Sequence, residues 1–411
     1  MFKYLYFLLA TLLLASCQNQ APSNGSNETS SEADNIIPVP SQQGAEPNLF
    51  ASSSGQLFLS WIENEDNKTN VLYFSRLSNE AWEPPKEIAR GDDWFVNWAD
   101  FPALSVYEGQ ENHMLAHWLQ KSGEGTYDYD VRIAQSVDGG QNWSPSFVPY
   151  QDDTPAEHGF VSFLPLSGER MMVVWLDGRN TKKEGGAMTL RTAEIDVEGK
   201  LYKEAELDNR ICDCCQTGAA LTNSGPVVVY RDRTDNEIRD ISIVRKVNGE
   251  WQAPQRVFED NWLINGCPVN GPAIDADGNR VVVAWFSMAE GEREVKIAFS
   301  DDAGATFQEP IRIDSGNPEG RVDVLLMDNG TALVSWLENT EKGAFIQLAK
   351  AGDNQAKDAV LTLTATSAKR SSGFPRIAQI PEGLYLAWTA VDGKETTVKT
   401  MKVSLDEALS N

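Results

Sequence analysis

Apolar and polar positions in this chain come in short bursts, and the bursts repeat. A run of small and branched apolar residues ending in an aromatic recurs seven times, with the aromatic at Trp61, Trp118, Trp175, Tyr230, Trp285, Trp336 and Trp388, spaced 51 to 57 residues apart. Each run is short and rich in Val, Leu and Trp, which suits a buried strand better than a helix. Upstream of each lies a second apolar segment: 47–52, 101–106, 159–164, 218–223, 271–276, 321–327 and 374–380. Downstream lies a third: 71–76, 131–136, 188–193, 241–246, 295–300, 345–350 and 397–404. A weaker fourth follows in most repeats, as at 87–90 and 311–314.

A fixed period above about 50 residues signals a propeller or an array. Four short strands per unit make a blade, and each blade buries both faces against its neighbours. The expected fold is therefore all-β, a seven-bladed β-propeller over residues 36–411. A six-bladed ring with one terminal unit as an accessory sheet is the alternative. The seventh unit shows no fourth strand after 404, whereas Ile36-Ile37-Pro38-Val39-Pro40 precedes the first unit and can supply it. That exchange would close the ring through the two chain ends.

The N-terminus has a different pattern. Lys3 precedes an apolar run, 4–15, too short to span a bilayer comfortably, which reads as an export signal. Its end, Leu14-Ala15-Ser16-Cys17, resembles a bacterial lipoprotein signal. The resemblance implies removal of 1–16, lipidation of Cys17 and a cell-envelope location, with the membrane met through lipid. Residues 17–35 are rich in Ser, Asn and Glu and read as a flexible tether. The 411 residues carry 35 Lys and Arg against 60 Asp and Glu, a net charge of −25. So acidic a chain argues against a nucleic-acid partner, because phosphate binding needs a basic stripe. A monomer is expected.

Two segments after third strands share a pattern: Ser136-Val137-Asp138-Gly139-Gly140-Gln141-Asn142-Trp143 and Ser300-Asp301-Asp302-Ala303-Gly304-Ala305-Thr306-Phe307. In such a turn Asp caps, Gly takes a positive φ and the aromatic packs back on the blade. Both resemble the Asp box of sialidases and related repeat propellers. The resemblance implies a binding site on the face opposite the boxes, where the loops leading into each blade and those between second and third strands gather. For a true sialidase it further implies an arginine triad on a carboxylate, a Tyr–Glu pair and an Asp acid. Only Phe374-Pro375-Arg376-Ile377 approaches the family's Arg-Ile-Pro motif, and seven units exceed the family's six.

The unusual residues of the chain fall on that face. Cys212-Asp213-Cys214-Cys215 stands before the inner strand of unit four and Cys267 before that of unit five. Aligning Thr217-Gly218 with Asn270-Gly271 puts Cys214 and Cys267 at one repeat position, so the four thiols are expected to converge, with His158 on the same rim. Two chemistries are open: disulfides, the default in an oxidising compartment, or a copper or zinc site built from the thiolates and His158. A second constellation is charged. Asp177, Arg179, Arg231, Asp232 and Arg233 leave second strands; Asp240 precedes a third strand; Tyr127 and Tyr129 do so in unit two. Arg321 and Arg376 begin or line inner strands. Arg forks suit carboxylates and aromatic rings suit sugars. Tyr127, Tyr129, Arg179, Arg231, Arg233, Arg321 and Arg376 are thus the candidate ligand contacts, for a glycan or a small anion. Asp177, Arg179, Arg231, Asp232, Arg233, Asp240 and Arg376 are the candidates for glycoside hydrolysis, should the chain be an enzyme. Inter-blade salt bridges are the alternative role for each.

Overall fold

A computed structural model describes residue 1 and residues 35–352 and 360–404. The expected signal segment, Cys17 and the tether up to residue 34 lie outside the described residues. The described chain folds as seven antiparallel sheets, one per repeat, in a seven-bladed β-propeller. The six-bladed alternative is set aside because every repeat forms a sheet of its own.

In blade three the strands are His158–Leu166, Arg170–Asp177, Thr189–Asp196 and Leu201–Asp208, from the axis outwards. Blades four, five and six follow the same order from Gly218–Thr222, Ala273–Asp277 and Pro318–Leu326. Blade one begins with Gly44–Ala51 and ends with Lys86–Gly91. Blade two has three strands, and its fourth position is reduced to a bridge between Ile133 and Phe147.

Blade seven comprises Arg376–Ile380, Gly383–Asp392 and Glu395–Val403, with Ile36–Ile37 as its outer strand. Ile36 pairs with Met401 and Ile37 with Thr400. The Thr400 hydroxyl donates to the Ile37 carbonyl at 2.8 Å and accepts the Trp82 indole N–H at 2.7 Å. The closure expected from the Ile-Ile segment is thus made, and blade one's Trp82 is fastened to it.

The second strands are apolar on both sides because both sides are covered. Arg170–Asp177 is buried at every position after the first. Seven apolar clusters result, and each is shared by two successive blades. A buried indole N–H needs an acceptor. Trp61, Trp175 and Trp336 each donate to the acid two residues on, Glu63, Asp177 and Glu338, at 2.6–2.8 Å. In a strand, residues two apart share a face, so the sequence spacing itself builds this bond.

The Asp-containing turns join third to outer strands. Asp138 accepts the Gln141 and Asn142 amides, and Ser136 Oγ accepts that of Gly140. Ser300 and Asp302 repeat the pattern. The aromatic packs back as expected, into a cluster that its blade shares with the one before. Trp143 of blade two lies edge-on to Phe74 of blade one, with ring centroids 6.1 Å apart, so the turn closes a seam between blades.

Gly140 sits in that seam at φ +76°, where an added Cβ would come within 2.2 Å of the Phe74 ring. Gly168 has a similar φ of +73° with nothing within 4 Å of its Cβ position. Gly140→Ala is therefore expected to destabilise more than Gly168→Ala by about 1–3 kcal/mol, the usual cost of overpacking. Paired urea unfolding curves measure the difference.

Candidate functional site

The inner strands surround an axial cavity of about 190 Å³, lined by residues from all seven blades. Residues 98–101, in the segment that leads from blade one into blade two, reach across its mouth to blades four and seven. Gln216 of blade four bonds the Ala99 carbonyl of this segment and accepts the Gly271 amide of blade five at 3.0 Å. On the other side, Trp98 stacks on Phe374 of blade seven at 5.8 Å, and Phe101 lies 5.9 Å from the same ring. Trp98 and Phe101 are half-buried. Three arginines border this aromatic shelf: Arg321 lies 4.9 Å and Arg370 6.0 Å from the Trp98 ring, and Arg376 lies 5.7 Å from the Phe101 ring.

Three of the four cysteines converge: Cys212 Sγ lies 3.8 Å from Cys214 Sγ and 3.7 Å from Cys215 Sγ. Cys267 approaches Cys214 from the next blade but stands outside the group of three whose sulfurs lie within 4.8 Å of one another. All four are free thiols; Cys212 and Cys215 are buried, Cys214 half-buried and Cys267 exposed. The buried Arg239 donates through Nη1 to Cys212 Sγ at 3.2 Å, and Glu237 holds that arginine at 2.8 Å. Hydrogen bonds from the Cys214 and Cys215 thiols, joined by the charges of Arg239 and Arg231, hold the Cys212 thiol well below the ordinary range. The loop is pinned at its start, where the Cys212 amide donates to the Arg231 carbonyl at 3.0 Å.

His158 does not join them. Its buried ring stacks on Tyr150 at 4.5 Å, with Nδ1 3.3 Å from the Tyr129 carbonyl and Nε2 3.6 Å from Asp177 Oδ1. The shared rim position anticipated proximity, but the side chain turns outward along the seam between blades two and three.

The charged candidates are largely committed to the scaffold. Arg231 is buried and spends its guanidinium on carbonyls, those of Asn270 and Phe286 in blade five and Arg239 in its own blade, at 2.7–3.0 Å. Arg179 forks onto Asp177 at 2.7 and 2.8 Å and reaches Glu204 at 3.1 Å. Against a burial that would raise it, the Arg179 bond and His158 hold the Asp177 carboxyl below the usual range. Arg233 pairs with Glu237 at 2.8 Å and Asp213 at 3.4 Å. Asp232 accepts the Arg233 amide and the Ser242 hydroxyl, and Asp240 accepts the Asn261 and Trp262 amides. Arg321 starts from a strand bulge at φ +55° and reaches blade seven, donating to Ser372 Oγ at 2.6 Å and the Gly373 carbonyl at 3.0 Å. Arg376 faces Asp323 at 3.3 Å. Tyr127 is exposed beside Phe95.

Tyr129 belongs to a group that the sequence reading did not assemble. Its hydroxyl donates to Glu157 Oε1 at 2.9 Å and lies 3.4 Å from Asp100 Oδ2. Burial pushes Asp100 up to about 8, against the Phe160 amide that it accepts at 2.7 Å, and pushes the half-buried Glu157 up to about 7. One signal in the sequence explains Asp100. Asp100-Phe101-Pro102 matches Asn270-Gly271-Pro272, and the neutral Asn270 accepts the Arg321 amide at 2.7 Å just as Asp100 accepts that of Phe160. Asp100 is thus a blade-to-blade acceptor whose burial favours its protonated form.

Because folding raises the Asp100 pKa from 3.8 to about 8, its proton-linked stability is whole below the lower value and is lost as pH rises through the upper one. Asp100→Asn keeps the acceptor and removes the titration. Urea midpoints at about pH 5 and about pH 9 are expected to lie closer together in this variant than in the wild type.

No protein-family model matches this chain, and no curated protein matches it in sequence. Among solved structures, the chain is similar to the polysaccharide lyase Uly1, at 10% identity and a TM-score of 0.55, covering 89% of this chain and 91% of that one. It is also similar to the α-L-arabinofuranosidase Arb93A of Fusarium graminearum with an iminosugar inhibitor, at 14% identity and a TM-score of 0.50, covering 91% and 97%. The same fungal enzyme with arabinobiose aligns equally well, at 14% identity and a TM-score of 0.50 over the same shares. At such identities the likeness is one of fold.

Proposed function

We propose that this chain is an envelope-anchored propeller that binds a glycan at the mouth of its axial cavity, with acidic sugars preferred. The observation that carries the reading is the shelf of Trp98, Phe101 and Phe374 bordered by Arg321, Arg370 and Arg376. Aromatic faces pack against the apolar faces of sugar rings, and arginine forks take their carboxylates. Arg370 is exposed and Arg376 half-buried, so both are accessible to a ligand. Arg321 orients Trp98 from below, since its own donors are spent on blade seven. The two structural neighbours are named for action on carbohydrates, and one of them holds arabinobiose. Lipidation at Cys17, with residues 18–35 as a spacer, would present this mouth away from a membrane surface.

A hydrolytic reading has one observation in its favour. Glu157 is half-buried, raised to about 7 and hydrogen-bonded to Tyr129, which is the state a general acid needs near neutral pH. Asp232 and Arg376 complete the set to be tested for turnover.

Calorimetry with uronate-containing and neutral oligosaccharides tests the binding reading. Trp98→Ala is expected to weaken binding about tenfold, the worth of one lost aromatic face. Arg370→Ala is expected to weaken the uronate-containing members selectively. If no oligosaccharide binds, or if Trp98→Ala leaves affinity unchanged, the shelf is not the site. A glycoside panel with Glu157→Gln tests turnover, and a Cys17→Ala chain lost from the membrane fraction tests anchoring.

A further inference from the structure

We propose that Cys212, Cys214, Cys215 and Cys267 form a tetrathiolate site for a soft closed-shell cation, zinc(II) or copper(I), and that Cys267 is its exchangeable, solvent-side ligand. The geometry carries this independently of the glycan reading. The three thiols of one loop have their sulfurs all within 4.8 Å of one another. In a tetrahedral zinc–thiolate centre with metal–sulfur bonds of about 2.3 Å, sulfurs stand about 3.8 Å apart. The observed separations from Cys212 are 3.7 and 3.8 Å.

The surroundings fit such a centre. Four thiolates around zinc leave a net charge of −2, and more remains around copper(I), so buried cations are required nearby. Arg239 donates directly to Cys212 Sγ at 3.2 Å, and Arg231 adds its charge from the same blade. Glu237 fixes the Arg239 guanidinium, and Arg233 links Glu237 back to Asp213 between the ligands. Outer-sphere bonds of this kind orient ligands and tune affinity. The loop is supported on its apolar side as well, since Cys214 and Val269 pack against the blade three–four cluster. Metal–sulfur bonds would replace thiol S–H bonds, with one proton released to solvent from each ligand that is still a thiol, and no electron is transferred. Cys267 comes from a different blade than its three partners and is exposed, so it is the ligand an incoming thiol or chelator would displace first.

The test uses the full chain purified without oxygen and incubated separately with zinc(II) and copper(I). One equivalent of metal per chain is expected, with X-ray absorption showing sulfur neighbours at about 2.3 Å and no thiol of the four available to alkylation until the metal is removed. Competition with a zinc-selective and a copper(I)-selective chelator decides between the two ions. Cys267→Ser is expected to retain the metal but release it to chelator at least tenfold faster. Arg239→Met is expected to lower affinity about 10- to 100-fold, which a purely structural arginine would not do. Cys212→Ser is expected to lose the equivalent altogether, with circular dichroism reporting whether its blades remain folded. Because alkylation protection is read on the wild-type chain, a misfolded variant does not remove the test. Peptide mapping that finds disulfides among these four cysteines in metal-loaded protein, or metal bound equally by Cys212→Ser, overturns the proposal.

Discussion

The apolar seam between successive sheets is the interaction on which this molecule depends. A strand such as Arg170–Asp177, apolar on both faces, cannot be satisfied by one neighbour. Only a ring gives every sheet two, and the seven clusters are the seams of that ring. Pairing with Ile36–Ile37 gives blade seven its outer strand and joins the two ends of the described propeller. Once the ring is closed, loops separated by 50 residues or more in the chain become neighbours at its mouth.

Polar groups near the axis answer to the same constraint. A buried donor or charge is costly unless it is paired. Arg231 therefore spends its guanidinium on carbonyls of two blades, Asp177 serves an indole and an arginine together, and Asp100 accepts a neighbouring blade's amide as Asn270 does elsewhere. Charge in this part of the molecule is mostly mortar. The exposed Cys267 and Arg370 and the half-buried Trp98 and Phe101 are less committed to these seams.

The thiol loop and the aromatic shelf share one rim. Both rest on the cluster between blades three and four, since Cys214, Trp98, Phe101 and Phe374 all pack there. Gln216 ties them further, bonding Ala99 of the shelf segment from the residue that directly follows Cys215.

The amino-acid sequence by itself determined the blade number, the order of strands within a blade, the exchange of the N-terminal strand into the last blade and the meeting of Cys214 with Cys267. Each follows from periodicity, and periodicity is a property of the chain. It also placed the acids that follow Trp61, Trp175 and Trp336, although not their use as indole acceptors. Tertiary structure alone decided where side chains at equivalent repeat positions turn. His158 was on the right rim, but the gap between Tyr150 and Asp177 took its ring away from the thiols. Asp100-Phe101-Pro102 has its counterpart in Asn270-Gly271-Pro272, but the position of Trp98 is Pro268 there, so the Trp98 shelf could be found only by seeing where its segment runs. Burial shifted Glu157 and Asp100, and burial depends on what neighbouring blades supply, which no local spacing encodes.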